Sequence, residues 1–149
     1  MLQRKFEVHN ESSQPVNRAV LARIGRKVLE RQGVKEAVVN IVVVDNREIS
    51  QLNEQYLNHK GPTDVITFQY DDNPVSADLF ISSEQARKQA VEYKVSSNNE
   101  LARLVIHGLL HLTGYSDDTP GRRGSMHRRE DSLLAEIGQL KTVCKWIKG

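Results

Sequence analysis

The run His107-Gly108-Leu109-Leu110-His111-Leu112-Thr113-Gly114-Tyr115-Ser116-Asp117 carries most of the chemistry legible in this chain. Residues four apart on a helix stack on one face, so His107 and His111 can present two imidazoles to a single ion. Gly114 lets the chain leave the helix sharply, and the turn can return Asp117 or Asp118 as a third ligand. Three protein ligands leave a fourth tetrahedral position for water, the arrangement of a catalytic rather than a structural zinc site. A metal so placed lowers the pKa of that water towards neutrality and supplies a nucleophile. Two histidines at this spacing are also common as ordinary buried residues. The acidic residue after a helix-ending glycine is what turns the pattern towards metal. H-x-x-x-H also serves metallopeptidases, but there a glutamate follows the first histidine as general base. Gly108 stands in that place and moves no proton, so proteolysis would need Asp64 or Asp78 as base.

The elements that must position these residues follow from periodicity. Alternation over Leu2–Val8 predicts a strand, and apolar residues at three- and four-residue spacing after Asn17 predict a helix ended by Gly33. Ala37–Val44 is β-branched and nearly continuous, which predicts a strand covered on both faces. Asp45 is placed to cap a short helix through Tyr56. Val65–Tyr70 predicts a strand with Asp71-Asp72-Asn73-Pro74 as its exit turn, and Ala77–Ile81 a further strand. Ser82 or Ser83 caps a helix to Tyr93. Ser97-Asn98-Asn99-Glu100 fits a capping box, which starts the histidine-bearing helix at Ser97 and leaves Gly114 as its left-handed stop. A polar loop, Ser116–Gly124, leads to a last helix from Met126 to Ile137. The expectation is an α+β chain, residues 1–149 as a single domain, with a small mixed β-sheet packed with about five helices.

The chain has 149 residues, 38% of them hydrophobic, enough for one core. Its net charge of +2 is unevenly spread. Residues 1–35 and 121–149 are basic, while 36–120 is acidic. Basic flanks around an acidic middle suit an anionic polymer outside and a metal within, although solvated helix faces produce the same pattern. One cysteine, Cys144, excludes an intrachain disulfide and suits a reducing cytoplasm. No stretch reaches the roughly 20 apolar residues of a membrane span, and the start, Met1–Glu7, lacks the apolar segment of a secretory signal.

The run H-G-x-L-H-L-x-G-Y closely resembles the signature of the YbeY family of bacterial rRNA maturation factors, which are metal-dependent endoribonucleases. Leu52-Asn53, Pro62-Thr63-Asp64-Val65-Ile66-Thr67-Phe68 and Asp78-Leu79 match too, in the family's order and spacing. The resemblance implies a zincin-like fold, one zinc ion (Zn2+) per chain and a cytoplasmic location. It also implies single-strand-specific cleavage in 16S rRNA maturation and ribosome quality control, with ribosomal RNA and the small ribosomal subunit as partners. His107, His111 and Asp117 would then hold the metal and serve catalysis through it, with Asp118 one residue away and His127 the next candidate. Two departures stand out. The family's usual third ligand is a histidine in G-Y-D-H, and here that position is Asp117. Carboxylate is a competent zinc ligand, so the site survives with altered electronics. The arginine that usually follows the L-N-x-x-Y segment is Leu57, so its role does not carry over; His59 or Lys60 could substitute. Arg122, Arg123, Arg128 and Arg129 lie just beyond the site and could hold an RNA backbone electrostatically. Tyr115 could stack on a base or fill a core contact. A non-catalytic ribosome-assembly module with a structural metal is the remaining reading.

Overall fold

The computed structural model describes residues 3–149, so the expected start of the first strand at Leu2 lies outside the described residues. The elements run β1 (Gln3–Asn10), α1 (Arg18–Arg31), β2 (Glu36–Val44), α2 (Asn46–Leu57), β3 (Val65–Asp72), β4 (Val75–Ser82), α3 (Ser83–Tyr93), α4 (Ser97–Leu112), α5 (Pro120–Ile137) and α6 (Lys141–Ile147). The sheet order is β1-β2-β4-β3. β1, β2 and β4 are parallel, with Phe6 opposite Val39 and Ile41 opposite Leu79, and β3 returns antiparallel to β4. The architecture is therefore α+β with a mixed sheet.

One face of the sheet meets α1 and α4 and holds the main core, including Phe6, Val39, Ile41, Leu79 and Ile81 with Leu21, Ile24, Ile106 and Leu109. β2 alternates rather than being covered on both faces. Ala37, Val39, Ile41 and Val43 are buried, whereas Val38 is exposed. The second face is covered only at one end, where Ile49 of α2 packs with Val44 and Ile66. A run of β-branched residues reflects strand propensity as well as burial, and here propensity explains the outward positions.

Helix α4 is the centre of the fold, packed against α1, α3, α5, α6, β3 and β4. From Glu100 to Leu112 it is buried all round except at Arg103, His107 and His111, one stripe at helical spacing. It can lie this close to the sheet because Gly108 has no side chain. A Cβ there would stand 2.5 Å from Leu79 Cδ2.

Several boundaries differ from expectation for identifiable reasons. Ser96, not Ser97, caps α4, its hydroxyl accepting from Asn99 N at 2.9 Å. The Ser96 hydroxyl also donates to the Ile147 carbonyl, and Asn98 Nδ2 donates to Trp146 O at 2.8 Å. The start of α4 is thus tied to the end of α6, a short helix that docks Val143 into the core. Helix α5 begins at Pro120, with Thr119 Oγ1 accepting from Arg122 N, so the loop expected to reach Gly124 is shorter. Gly121 and Gly124 argue for loop by propensity, but threonine before proline is a helix-start signal and wins. Asp45 sits at the N-cap of α2 without capping it. Its carboxylate accepts from Ser13 N and Oγ, while Asn46 N donates to Glu84 Oε1. Asp71 and Asp72 pair with β4, leaving Asn73-Pro74 as the turn.

Close approach also sets α1 on β1, where a Cβ at Gly25 would stand 2.0 Å from Phe6 Cζ. Gly25→Ala should destabilise by about 1–3 kcal/mol, whereas Gly121→Ala, with nothing within 4 Å of its Cβ, should not destabilise. Urea unfolding midpoints at constant slope check both.

Candidate metal centre

His107 and His111 leave α4 on the same side, with their Nε2 atoms 3.2 Å apart and their rings at 83°. Gly114, at φ +105°, turns the chain back, and Tyr115 N closes the turn on Leu110 O. That reversal brings Asp117 Oδ2 to 3.8 Å from His111 Nε2. One ligand atom from each of His107, His111 and Asp117 lies within 4.8 Å of the other two. Tetrahedral bonds of about 2.0 Å span edges of about 3.3 Å, so the two imidazole nitrogens already sit at the spacing one ion requires. The donor set of two imidazoles and a carboxylate fits a divalent metal.

A residue the motif does not contain completes the arrangement. Glu130, on α5 and 2% exposed, places Oε2 3.1 Å from His107 Nδ1. A carboxylate behind a histidine holds the proton on Nδ1, leaves the Nε2 lone pair for metal and raises its basicity. Burial lowers the His107 pKa, but the Glu130 hydrogen bond, with the charges of Glu130, Asp64 and Asp117, outweighs it and the net direction is upward. Glu130 also lies 3.8 Å from Arg103 Nη1 and 3.7 Å from His127 Nδ1. Sequence spacing alone did not find Glu130, because 23 residues and a reversed helix separate it from His107. An acidic residue at an apolar-periodic position of α5, beside Met126, Leu133 and Ile137, was the available signal.

The other candidates fall elsewhere. Asp118 is held by the Ser116 hydroxyl at 2.6 Å and by Arg122 at 3.1 Å, interactions that keep its carboxyl below the usual range. His127 is turned to Glu130 and is outside the three-residue group. Arg122 is engaged by Asp118, and Arg123 Nε donates to Asp117 O. Arg128 reaches Ser125, and Arg129 binds Gln32 Oε1 and the Arg31 carbonyl, joining α5 to α1. Lys60 and Leu57 are exposed at and beyond the end of α2, and neither lines the cavity at His107. Asn53 Nδ2 donates to Gly61 O and so fixes the loop that leads to Asp64. Tyr115 packs against the core. No helix among the described residues is long and apolar enough to cross a membrane.

The glutamate of the peptidase arrangement has no room on this helix. Leu79 occupies the space a glutamate at position 108 would need. Asp78, on the opposite face of β4 from Leu79, accepts from Asn40 and Tyr70. Asp64 accepts from Val65 N and Gln89.

Comparison with known proteins agrees with the sequence signature. The family model described as endoribonuclease YbeY matches residues 3–138. The chain belongs to the YbeY family. A relative named endoribonuclease YbeY from Parabacteroides distasonis is 40% identical over 74% of this chain and 78% of its own. One from Bacillus subtilis is 36% identical, covering 73% and 78%. Another, from Chlorobium phaeobacteroides, is 33% identical over 91% and 99%. A solution structure from Thermotoga maritima superposes with TM-score 0.65 at 25% identity, covering 89% of each chain. The YbeY relationship explains why residues of β3, β4 and α4 share one motif order.

Glu130→Gln should weaken metal affinity about 10- to 100-fold in a chelator-competition titration. Without metal, a raised His107 pKa contributes stability that is complete below 6.5 and lost as the pH rises through the higher folded value. The same variant should therefore lose stability at about pH 5.5 and little at about pH 9 in urea melts.

Proposed function

We propose that this protein is a metal-dependent endoribonuclease, a hydrolase that cuts single-stranded RNA in 16S rRNA maturation and ribosome quality control. Ribosomal RNA and the small ribosomal subunit are its partners, the cytoplasm is its location, residues 1–149 act as one domain, and zinc is its metal. The observation that carries the reading is the three-donor group His107, His111 and Asp117 in a chain of the YbeY family. Three donors rather than four are the mark of a catalytic centre, which argues against a purely structural metal. When bound, the ion would act as a Lewis acid towards the phosphodiester and activate the attacking oxygen.

The chain's own groups prepare that chemistry. Glu130 fixes the His107 ring and its proton on Nδ1, so Nε2 faces inwards as a lone-pair donor. Gly114 turns the chain so that Asp117 comes back to the histidines, and half of the Asp117 side chain stays exposed. Arg123, which donates to Asp117 O, and Arg122, which pairs with Asp118, would supply positive charge for an RNA backbone, with Lys60 on the loop after α2 as a further cation. Arg129 is committed to α1 and is left out of that set.

The test is cleavage of single-stranded RNA by purified protein, with and without added zinc and after chelation. His111→Ala and Asp117→Ala should lose metal and at least about 100-fold in activity, while Asp118→Ala should keep both. Asp117→His should retain metal and move the preference from manganese towards zinc, because a hard oxygen donor is exchanged for imidazole. Joint replacement of Arg122 and Arg123 by Gln should flatten the salt dependence of RNA binding. Tight rRNA binding with no cleavage under any metal would establish the assembly-factor reading instead.

A further inference from the structure

Beside His107 the surface opens into a cavity of about 530 Å³ between α3, α4 and α5. Of the described residues that line it, Arg103 alone carries a permanent positive charge. Arg103 stands one helical turn before His107 on the polar stripe of α4, about 6 Å along the axis. Its side chain is 28% exposed, and its guanidinium is engaged through Nη1, 3.1 Å from Asp131 Oδ1 and 3.8 Å from Glu130 Oε1. Nε and Nη2 have no hydrogen-bond partner among the described residues. Glu130 is buried and already holds His107, whereas the Asp131 side chain is 67% exposed. An ion pair whose partner stands so far into water contributes little and exchanges readily. A guanidinium fork takes a carboxylate or a phosphate through the same parallel hydrogen bonds.

We propose that Arg103 binds an RNA phosphate next to the scissile one, and that Asp131 occupies its guanidinium until RNA arrives. This rests on the endoribonuclease reading and adds a substrate-binding residue to that site. With the scissile phosphate at the His107, His111 and Asp117 group, a neighbouring phosphate of the strand reaches past His107 to Arg103. One helical turn is close to the separation of neighbouring phosphates along a single strand. Arg122 and Arg123 stand by the Asp117 turn, beyond the His111 end of the stripe, so the strand meets cations on both sides of the centre. When a phosphate displaces Asp131, one negative charge replaces another at the guanidinium. Glu130 beside it therefore meets no added repulsion. The released Asp131 carboxylate, already mostly hydrated, returns to water at little cost.

The experiment is a binding scan of zinc-loaded protein with a short single-stranded RNA of mixed sequence, read by fluorescence anisotropy before any cleavage. Each phosphate in turn is replaced by a neutral methylphosphonate. In wild type, neutralising the phosphate held by Arg103 should weaken binding about tenfold. Arg103→Gln should bind the unmodified RNA about tenfold more weakly and lose all further penalty at that one position. Asp131→Asn, an exposed change, should bind about threefold more tightly, with the gain confined to the same phosphate. A merely structural ion pair would instead move both variants in one direction and at no particular phosphate. The Asp131→Asn scan leaves Arg103 in place and decides the matter even if Arg103→Gln fails to fold. Unchanged or weaker binding by Asp131→Asn overturns the proposal, as does a gain spread over all phosphates, or a full penalty at every position in Arg103→Gln. An Arg103-dependent phosphate in a protein that cuts no RNA overturns the endoribonuclease reading alone. Cleavage of RNA without such a phosphate overturns the Arg103 site alone.

Discussion

The close approach of Gly108 of α4 to Leu79 of β4 is the constraint on which the site depends. A side chain at position 108 would lift α4 away from the sheet, and with it the axis that carries both histidines. Because the helix lies so close, most of its circumference is inside the core. From Glu100 onward, polar groups survive on α4 only along one stripe, and those reaching the interior need partners. Glu130 on α5 answers His107, and Asp131 answers Arg103. Packing thus dictates where the polar chemistry of α4 is displayed and which neighbouring element must serve it.

The electrostatics of that stripe are coupled. Glu130 is almost completely buried, and an isolated ionised carboxylate there would be strongly disfavoured. Its company of His107, Arg103 and His127 makes the charge tolerable. The same company draws a proton towards His107, so a proton and a metal compete for the imidazole. Asp117 in place of a third imidazole would add negative charge to such a donor set and so favour a cation. A hard oxygen donor would also widen the range of divalent ions such a site accepts.

Helix α5 frames this arrangement from the other side. Its start is set by Thr119 and Pro120, and Arg129 ties it to α1 through Gln32. The position of Glu130 therefore depends on contacts made across the fold. Helix α6 does comparable work at the other end of α4, where its last carbonyls accept from Ser96 and Asn98. The central helix is held at both ends by elements that follow it in the chain.

The sequence by itself determined the local features. Helical spacing put His107 and His111 on one face, Gly114 supplied the left-handed turn that returns Asp117, and alternation, one β-branched run and turn residues marked the four strands. These are properties of neighbouring residues, whose geometry follows from backbone sterics and period. Only the tertiary structure decided the rest. It decided that β2 is half open, that Ser96 and not Ser97 caps α4, that α6 forms at all, and that Arg129 is a strut. It also brought Glu130 to His107 and Asp131 to Arg103. Those outcomes join residues distant in sequence, and they are settled by which buried polar groups must find one another once the core has closed.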